Sequence, residues 1–348
     1  MLHLVKLTRP PLPVMALAVV LGVMGFAAAI FLTVFAAYAL LDLAGLPQPI
    51  AAGVAAVALG VCGVVRGPLR YGEQLCNHYL AFRILALVRD RVFAALRRLA
   101  PAKLEGRDKG DLVSLVTSDV ELLEVFYAHT LSPALIALIV SVGMTAFVGF
   151  QSLVLGALAL ASYVLVGVAV PLVSSRASGS AGRAVRDRIG DMNAFVLDSL
   201  RGLAETLQYG RAADRAHELS TRMANLAGIE RRLKGRTALF MALVGAVVIV
   251  CDVAMLLVSA ALAMQGDIGV GAAVLATTAL MSSFGPVIAV ANLGSTLQQT
   301  LASGARVLDL LDERPQTEEV ADGVDLDGFE GAAARRVDFS YGGARVLA

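Results

Sequence analysis

Six apolar runs of about 20 residues punctuate this chain, at roughly 14–41, 50–69, 126–148, 152–173, 239–264 and 271–290. A helix needs about 20 residues to cross roughly 30 Å of hydrocarbon, so each run is long enough for one membrane span. Between them, polar positions follow two rhythms. The stretches 42–49, 149–151 and 265–271 are short turns, and Phe150 with Gln151 is all that separates the third run from the fourth, which demands a tight helical hairpin. The other connections are many times longer.

Those long connections keep a helical period. In Arg70–Leu99, apolar Leu75, Tyr79, Phe82, Leu85, Val88, Val92, Leu96 and Leu99 recur among arginines, so the second span continues as an amphipathic helix beyond the membrane. At 1.5 Å per residue this extension is about 45 Å long. The segments 174–208, 214–237 and 292–311 read the same way. Pro101 and the 106–110 stretch break the first pair of extensions and Gly210 breaks the second, giving two helical hairpins outside the bilayer. Pro133, Pro171 and Pro286 are expected to kink their spans. From residue 313 to 330 the chain turns acidic, with Pro and Gly and no helical period, as a linker does. In 331–348, Val337, Phe339 and Tyr341 alternate with polar residues before a Gly-Gly turn, the start of a β-hairpin. The expected fold class is an all-α membrane protein of six transmembrane helices over residues 1–312, followed by a linker and a short β fragment.

Composition agrees: 57% of residues are hydrophobic and the mean hydropathy is +0.75, outside the soluble range. The 29 lysines and arginines orient the spans. Two lie in 1–13, ten in 66–110, twelve in 176–236 and five from Arg306 onward, while the three short turns hold none. Basic residues stay on the cytoplasmic side, so both termini and both long hairpins are expected there, in a multi-pass protein whose outer partner is lipid. A net charge of +1 gives no nucleic-acid footprint. Three cysteines, Cys62, Cys76 and Cys251, form no CxxC pair, which argues against a disulfide framework. The apolar run after the basic N-terminus is too long for a cleaved leader and reads as a retained first span.

Few groups carry candidate chemistry. Asp252 lies near the middle of the fifth span; a carboxylate there must face the bundle interior, either lining a substrate pathway or bonding a neighbouring Ser or Thr. Arg66 and Arg70 close the second span and serve either as substrate contacts or as snorkelling residues at the interface. His78 shares a helix face with Tyr71, Gln74, Leu75 and Phe82, and is either a packing residue or a metal ligand. The sequence contains no GxxxxGK[ST] loop, nor any Gly-Lys dipeptide. These residues alone therefore supply no phosphate cradle for ATP hydrolysis, and no catalytic residue is assigned.

The pattern resembles the transmembrane half of type I ABC exporters. The first hairpin tip carries Gly110, Asp111, Leu112, Ser114, Asp119 and Val120 in the spacing of that family's coupling segment. Residues 302–315 (ASGARVLDLLDERP) resemble the end of its last transmembrane helix, and VDFSYGGARVL resembles the first strand of its nucleotide-binding domain, where Tyr341 matches the adenine-stacking aromatic. Arg70–Arg83 (RYGEQLCNHYLAFR) resembles the signature of CydC-type subunits, which export cysteine and glutathione. The resemblance implies ATP and magnesium in the complete protein, a second half-transporter as partner in a homo- or heterodimer, and a nucleotide-binding domain supplied elsewhere. It further implies a bacterial-type plasma membrane, haem at His78, and Gly110, Asp111, Ser114 and Asp119 as solvent-facing coupling residues. Two expectations compete: the membrane half of an exporter for thiols, amino acids or small peptides, cut at the start of its nucleotide-binding domain, or a transport-incompetent remnant acting as an interaction partner. A secondary carrier would need repeat symmetry and broken spans, which the sequence does not show.

Overall fold

The computed structural model describes the backbone of residues 12–46, 48–101, 103–104, 109–126, 130–291, 294–315, 328, 331, 333, 335–340 and 345–347. Side chains are described for the same residues except 109, 111, 125–126, 173–187, 294–299, 339 and 345–347. Helices dominate. In chain order they are α1 (Leu12–Leu43), α2 (Ala52–Leu99), α3 (Lys109–Ser114), α4 (Val120–Phe126), α5 (Ser132–Gly149), α6 (Leu153–Val164), α7 (Val170–Arg201), α8 (Leu203–Gln208), α9 (Ala212–Gln265), α10 (Val270–Ser283), α11 (Gly285–Ala291) and α12 (Gly294–Asp312). Five-residue π-helical turns join α3 to α4 at Leu115–Asp119 and α6 to α7 at Leu165–Ala169. Phe339–Ser340 pairs antiparallel with Arg345–Leu347.

Six of these stretches are long and apolar enough to cross a membrane: Leu12–Leu43, Ala52–Leu99, Ser132–Gly149, Leu153–Leu172, Ala212–Gln265 and Val270–Ala291. They coincide with the six apolar runs. The second and fifth are far longer than a bilayer needs: α2 has 48 residues and α9 has 54, about 70 and 80 Å at helical rise.

The contacts divide the chain into two compact units. The larger comprises residues 13–77 and 129–297. Its core draws on all the spans but the second: Val34 from α1, Met144 and Val148 from α5, Leu155 and Ala159 from α6, Met255 from α9, and Ala276 and Leu280 from α10. Phe31 and Phe147 meet edge-to-face at 5.3 Å, as do Tyr163 and Phe284 at 5.6 Å. The turn between α5 and α6 is as tight as the sequence requires, because Gly149 and Gly156 let the two backbones touch: a Cβ built on Gly156 would lie 2.7 Å from the Gly149 Cα. Between the first two spans, the Asp42 carboxylate accepts a 2.7 Å bond from the Ala52 amide and satisfies one orphan donor at the start of α2. Gly266, in the left-handed region at φ 83°, terminates α9.

The second hairpin, also in the larger unit, is formed by α7 and α9 with α8 at its end. The chain reverses through Gly202 and Gly210, the latter at φ 65°. Phe195 is buried there beneath two guanidinium groups, with Arg215 and Arg222 at 4.8 and 4.3 Å from the ring centre, and Arg215 also pairs with Asp198 at 2.7 Å. Cation–π stacking of this kind favours arginine over lysine.

The smaller unit comprises residues 78–128 and 298–348, together with the first twelve. Here the amphipathic face of α2 follows expectation at Val88, Val92 and Leu99, which are buried, and at Leu85 and Leu96, which are half-buried, and departs from it in the earlier turns. The buried positions are Leu80, Ala81, Ile84, Val88, Val92, Ala95 and Leu99, while Phe82 is exposed, as are Tyr79 and, earlier on the helix, Leu75. Before Val88 the apolar residues of this helix offer two alternative stripes, and hydrophobicity alone does not choose between them. The prolines mark irregularities in their spans, as expected: the sixth span breaks at Phe284, just before Pro286, and Pro171 follows the π turn Leu165–Ala169 within the fourth. Pro133 lies in the first turn of α5. Pro68, not expected to matter, sits inside α2, where it removes an intrahelical bond.

Candidate functional site

The first hairpin tip is built from α3, its π turn and α4. Gly110 is exposed and Ser114 half-buried, and the side chain of Asp111 lies outside the described residues. Asp119 departs from expectation. Rather than facing solvent, it is 5% exposed. Its Oδ1 accepts a 2.8 Å bond from the Ser303 hydroxyl and its Oδ2 lies 3.2 Å from Nη1 of Arg306. The π turn ends at Asp119, and Leu115, Asp119, Val120 and Leu123 are the buried positions of this segment. Among the described side chains of α12 the buried positions are Thr300, Ser303, Gly304, Val307 and Leu310, a stripe at helical spacing. The carboxylate thus meets an internal need that the sequence did not reveal.

At the C-terminal end of the second apolar run, Arg70 is half-exposed and pairs with Glu73 at 2.5 Å, while its guanidinium lies 5.5 Å from the centre of the Phe26 ring. Glu73 is 2% exposed, and the Asn77 amide donates to its Oε1 at 3.4 Å. Gly22 makes room for this carboxylate: a Cβ there would strike Ile136 and approach the Glu73 Cδ to 3.3 Å. Arg70 is therefore the counter-ion of a buried glutamate, whereas Arg66 is simply exposed. Glu73 and Asn77 were not singled out from sequence. Their signal was the i, i+3, i+7 spacing of Arg70, Glu73 and Asn77 on one helix face.

Within the bundle, Asp252 is half-buried, and its Oδ1 is fully enclosed without a hydrogen-bond partner. The hydroxyl groups around the spans bond one another instead. Ser259 meets Thr277 at 3.2 Å between the fifth and sixth spans, and Tyr163 meets Ser283 at 2.5 Å between the fourth and sixth. Of the two expected roles for Asp252, the bond to Ser or Thr is not made by this oxygen.

His78 is exposed, with the Phe82 ring stacked at 6.2 Å. One helix face offers an imidazole nitrogen and aromatic neighbours but no enclosing walls, and among the described residues no three His, Cys, Asp or Glu side chains cluster for a metal. Tyr341 lies outside the described residues.

Six candidate spans and two long helical hairpins are the architecture of a polytopic membrane domain. Residues 14–287 match the ABC transporter transmembrane region, and the chain belongs to that family. It is similar to a probable ABC transporter ATP-binding/permease protein of Haemophilus influenzae, 41% identical over 99% of this chain and 62% of that protein. It is also similar, at 28% identity over 89% of this chain and 56% of the relative, to the glutathione/L-cysteine transport system ATP-binding/permease protein CydC of Escherichia coli. The chain therefore spans about three fifths of the curated relatives it matches.

Proposed function

We propose that this chain is the membrane half of an ATP-driven exporter that pairs with a second half-transporter to enclose a twelve-helix pathway in a bacterial-type plasma membrane. The observation that carries this reading is the alignment of nearly the whole chain with an ATP-binding/permease protein, together with the match of its spans to the family region. The 348 residues contain no GxxxxGK[ST] loop, so ATP and magnesium are assigned to a nucleotide-binding domain beyond these residues. The basic residues, absent from the three outer turns, support placing both hairpins and both termini in the cytoplasm. The tip around Gly110, Asp111 and Ser114 is assigned to docking on that domain, and Tyr341 to its adenine-stacking strand.

The substrate class is a small amine-bearing thiol, amino acid or peptide. Asp252 supports it, since a bundle carboxylate with an enclosed, unpartnered oxygen suits an ammonium group. Uptake of labelled L-cysteine, glutathione and a dipeptide into inverted vesicles tests this, with ATP-dependent accumulation of one of them expected and lost in Asp252→Asn. A haem at His78 is a separate proposal. It requires a Soret band that disappears in His78→Ala, and an unchanged spectrum returns His78 to a surface role.

A further inference from the structure

Within the smaller unit, the tip segment and the cytoplasmic end of α12 are joined across 184 positions of sequence by a buried polar contact. Asp119 receives the Ser303 hydroxyl on one oxygen at 2.8 Å and faces Arg306 with the other at 3.2 Å. Asp119 and Ser303 are 5% and 6% exposed, so water competes little for the bond between them, while the Arg306 side chain, 44% exposed, reaches the carboxylate from the solvent side. Further along the same elements the join is repeated. Lys103 pairs with Glu313 at 3.3 Å, and Arg98 donates to the carbonyl oxygens of Leu311 and Glu313 at 3.3 and 3.2 Å. Arg89 of α2 pairs with Glu121 of α4 at 3.2 Å, tying the tip to the first arm of the hairpin. The outer pairs are partly exposed and individually weak, but the Asp119 contact is not. Opening it would leave a carboxylate buried without its cation, which is strongly unfavourable.

We propose that Asp119, Ser303 and Arg306 form a clasp that stays closed through the transport cycle, making the first hairpin tip and the end of the sixth-span helix one rigid lever. Asp119 is then a positioning residue. It does not touch the nucleotide-binding domain; it makes a displacement at the end of α12 and a displacement at the tip the same displacement. A lever of this kind delivers one motion to the hairpin by two routes, the docked tip and the chain running out of α12. A loose contact would let the two routes work against each other.

The inference rests on the exporter reading, and the test separates the two. It uses the protein in native membranes together with its nucleotide-binding domain. Asp119→Cys with Ser303→Cys, treated with a mild oxidant, should give a disulfide-linked peptide by mass spectrometry, in equal yield with and without ATP plus vanadate. Asp119→Ala should lower export per ATP hydrolysed by roughly tenfold while ATPase activity persists. Asp119→Asn, which keeps an acceptor for Ser303 in the same volume, should fall between, guarding against a simple folding defect. Oxidation of the cysteine pair should restore export lost in its reduced form, because a covalent link replaces the clasp. A cross-link that forms at rest but fails with ATP and vanadate would show that the contact opens, and overturn the proposal. So would an oxidised pair that stays inactive, or Asp119→Ala with wild-type coupling. Absence of ATP-driven export from the unmutated protein would instead refute the exporter reading, and the resting cross-link would still decide whether the clasp exists.

Discussion

The Tyr163 hydroxyl and the Ser283 Oγ lie 2.5 Å apart, joining the fourth and sixth spans across 120 residues of sequence. Both side chains are buried, and the Phe284 ring packs edge-on against Tyr163 next to the bond. In a setting without water, removing one partner strands the other. Tyr163→Phe and Ser283→Ala should each lower stability in detergent by about 1 kcal/mol, with the double variant costing little more than either. Reversible unfolding of the four proteins measures this. Additive losses would show that the two groups are not coupled.

The hairpin of α5 and α6 depends on Gly156. Its Cβ, if present, would meet the backbone of Gly149 at 2.7 Å, and backbone cannot swing aside as a flexible side chain does. Gly156→Ala should cost about 1–3 kcal/mol through overpacking. Gly143→Ala, in the same hairpin with nothing within 4 Å, serves as the comparison and should be close to neutral. Equal effects at the two glycines would contradict close approach as the cause.

How much of this was legible in advance depended on whether the determining contact was local. The six spans followed from runs of apolar residues, because the bilayer imposes their length. The two hairpins followed from helical period punctuated by Pro101 and Gly210. Asp119 did not follow: its burial is decided by Ser303 and Arg306, far away in sequence, and nothing near it distinguishes an enclosed carboxylate from a solvated one. The later turns of the α2 face, Val88, Val92 and Leu99, are legible in the sequence, whereas in the earlier turns Phe82 is as apolar as Leu80 and Ile84 and only tertiary packing selects the latter. Glu73 was legible in principle, three residues after Arg70, but its burial depends on Gly22 in another helix.

The cytoplasmic placement of the hairpins is tested by labelling. In a background lacking Cys62, Cys76 and Cys251, Ala44→Cys and Gly269→Cys should react with an impermeant thiol reagent added to whole cells, and Arg211→Cys should react only after permeabilisation. Ala44 and Gly269 belong to basic-free turns, whereas Arg211 lies between α8 and α9. The reverse pattern would invert the orientation drawn from charge.

Asp252 gives a prediction in which stability and function separate. Its enclosed oxygen has no hydrogen-bond partner, so replacing the carboxylate by the isosteric amide removes no bond made by that atom. Asp252→Asn should therefore fold with stability within about 1 kcal/mol of the parent, while transport of amine-bearing substrates is lost. A large loss of stability would make Asp252 a structural residue of the bundle.

The most direct test of the central claim is ATP-dependent uptake into inverted membrane vesicles that contain this chain with its nucleotide-binding domain. Exporter function predicts vanadate-sensitive accumulation of labelled L-cysteine, glutathione or a dipeptide, absent without ATP and sharply reduced by Asp119→Ala. Vesicles that accumulate none of the three, or accumulate them equally without ATP, would contradict it.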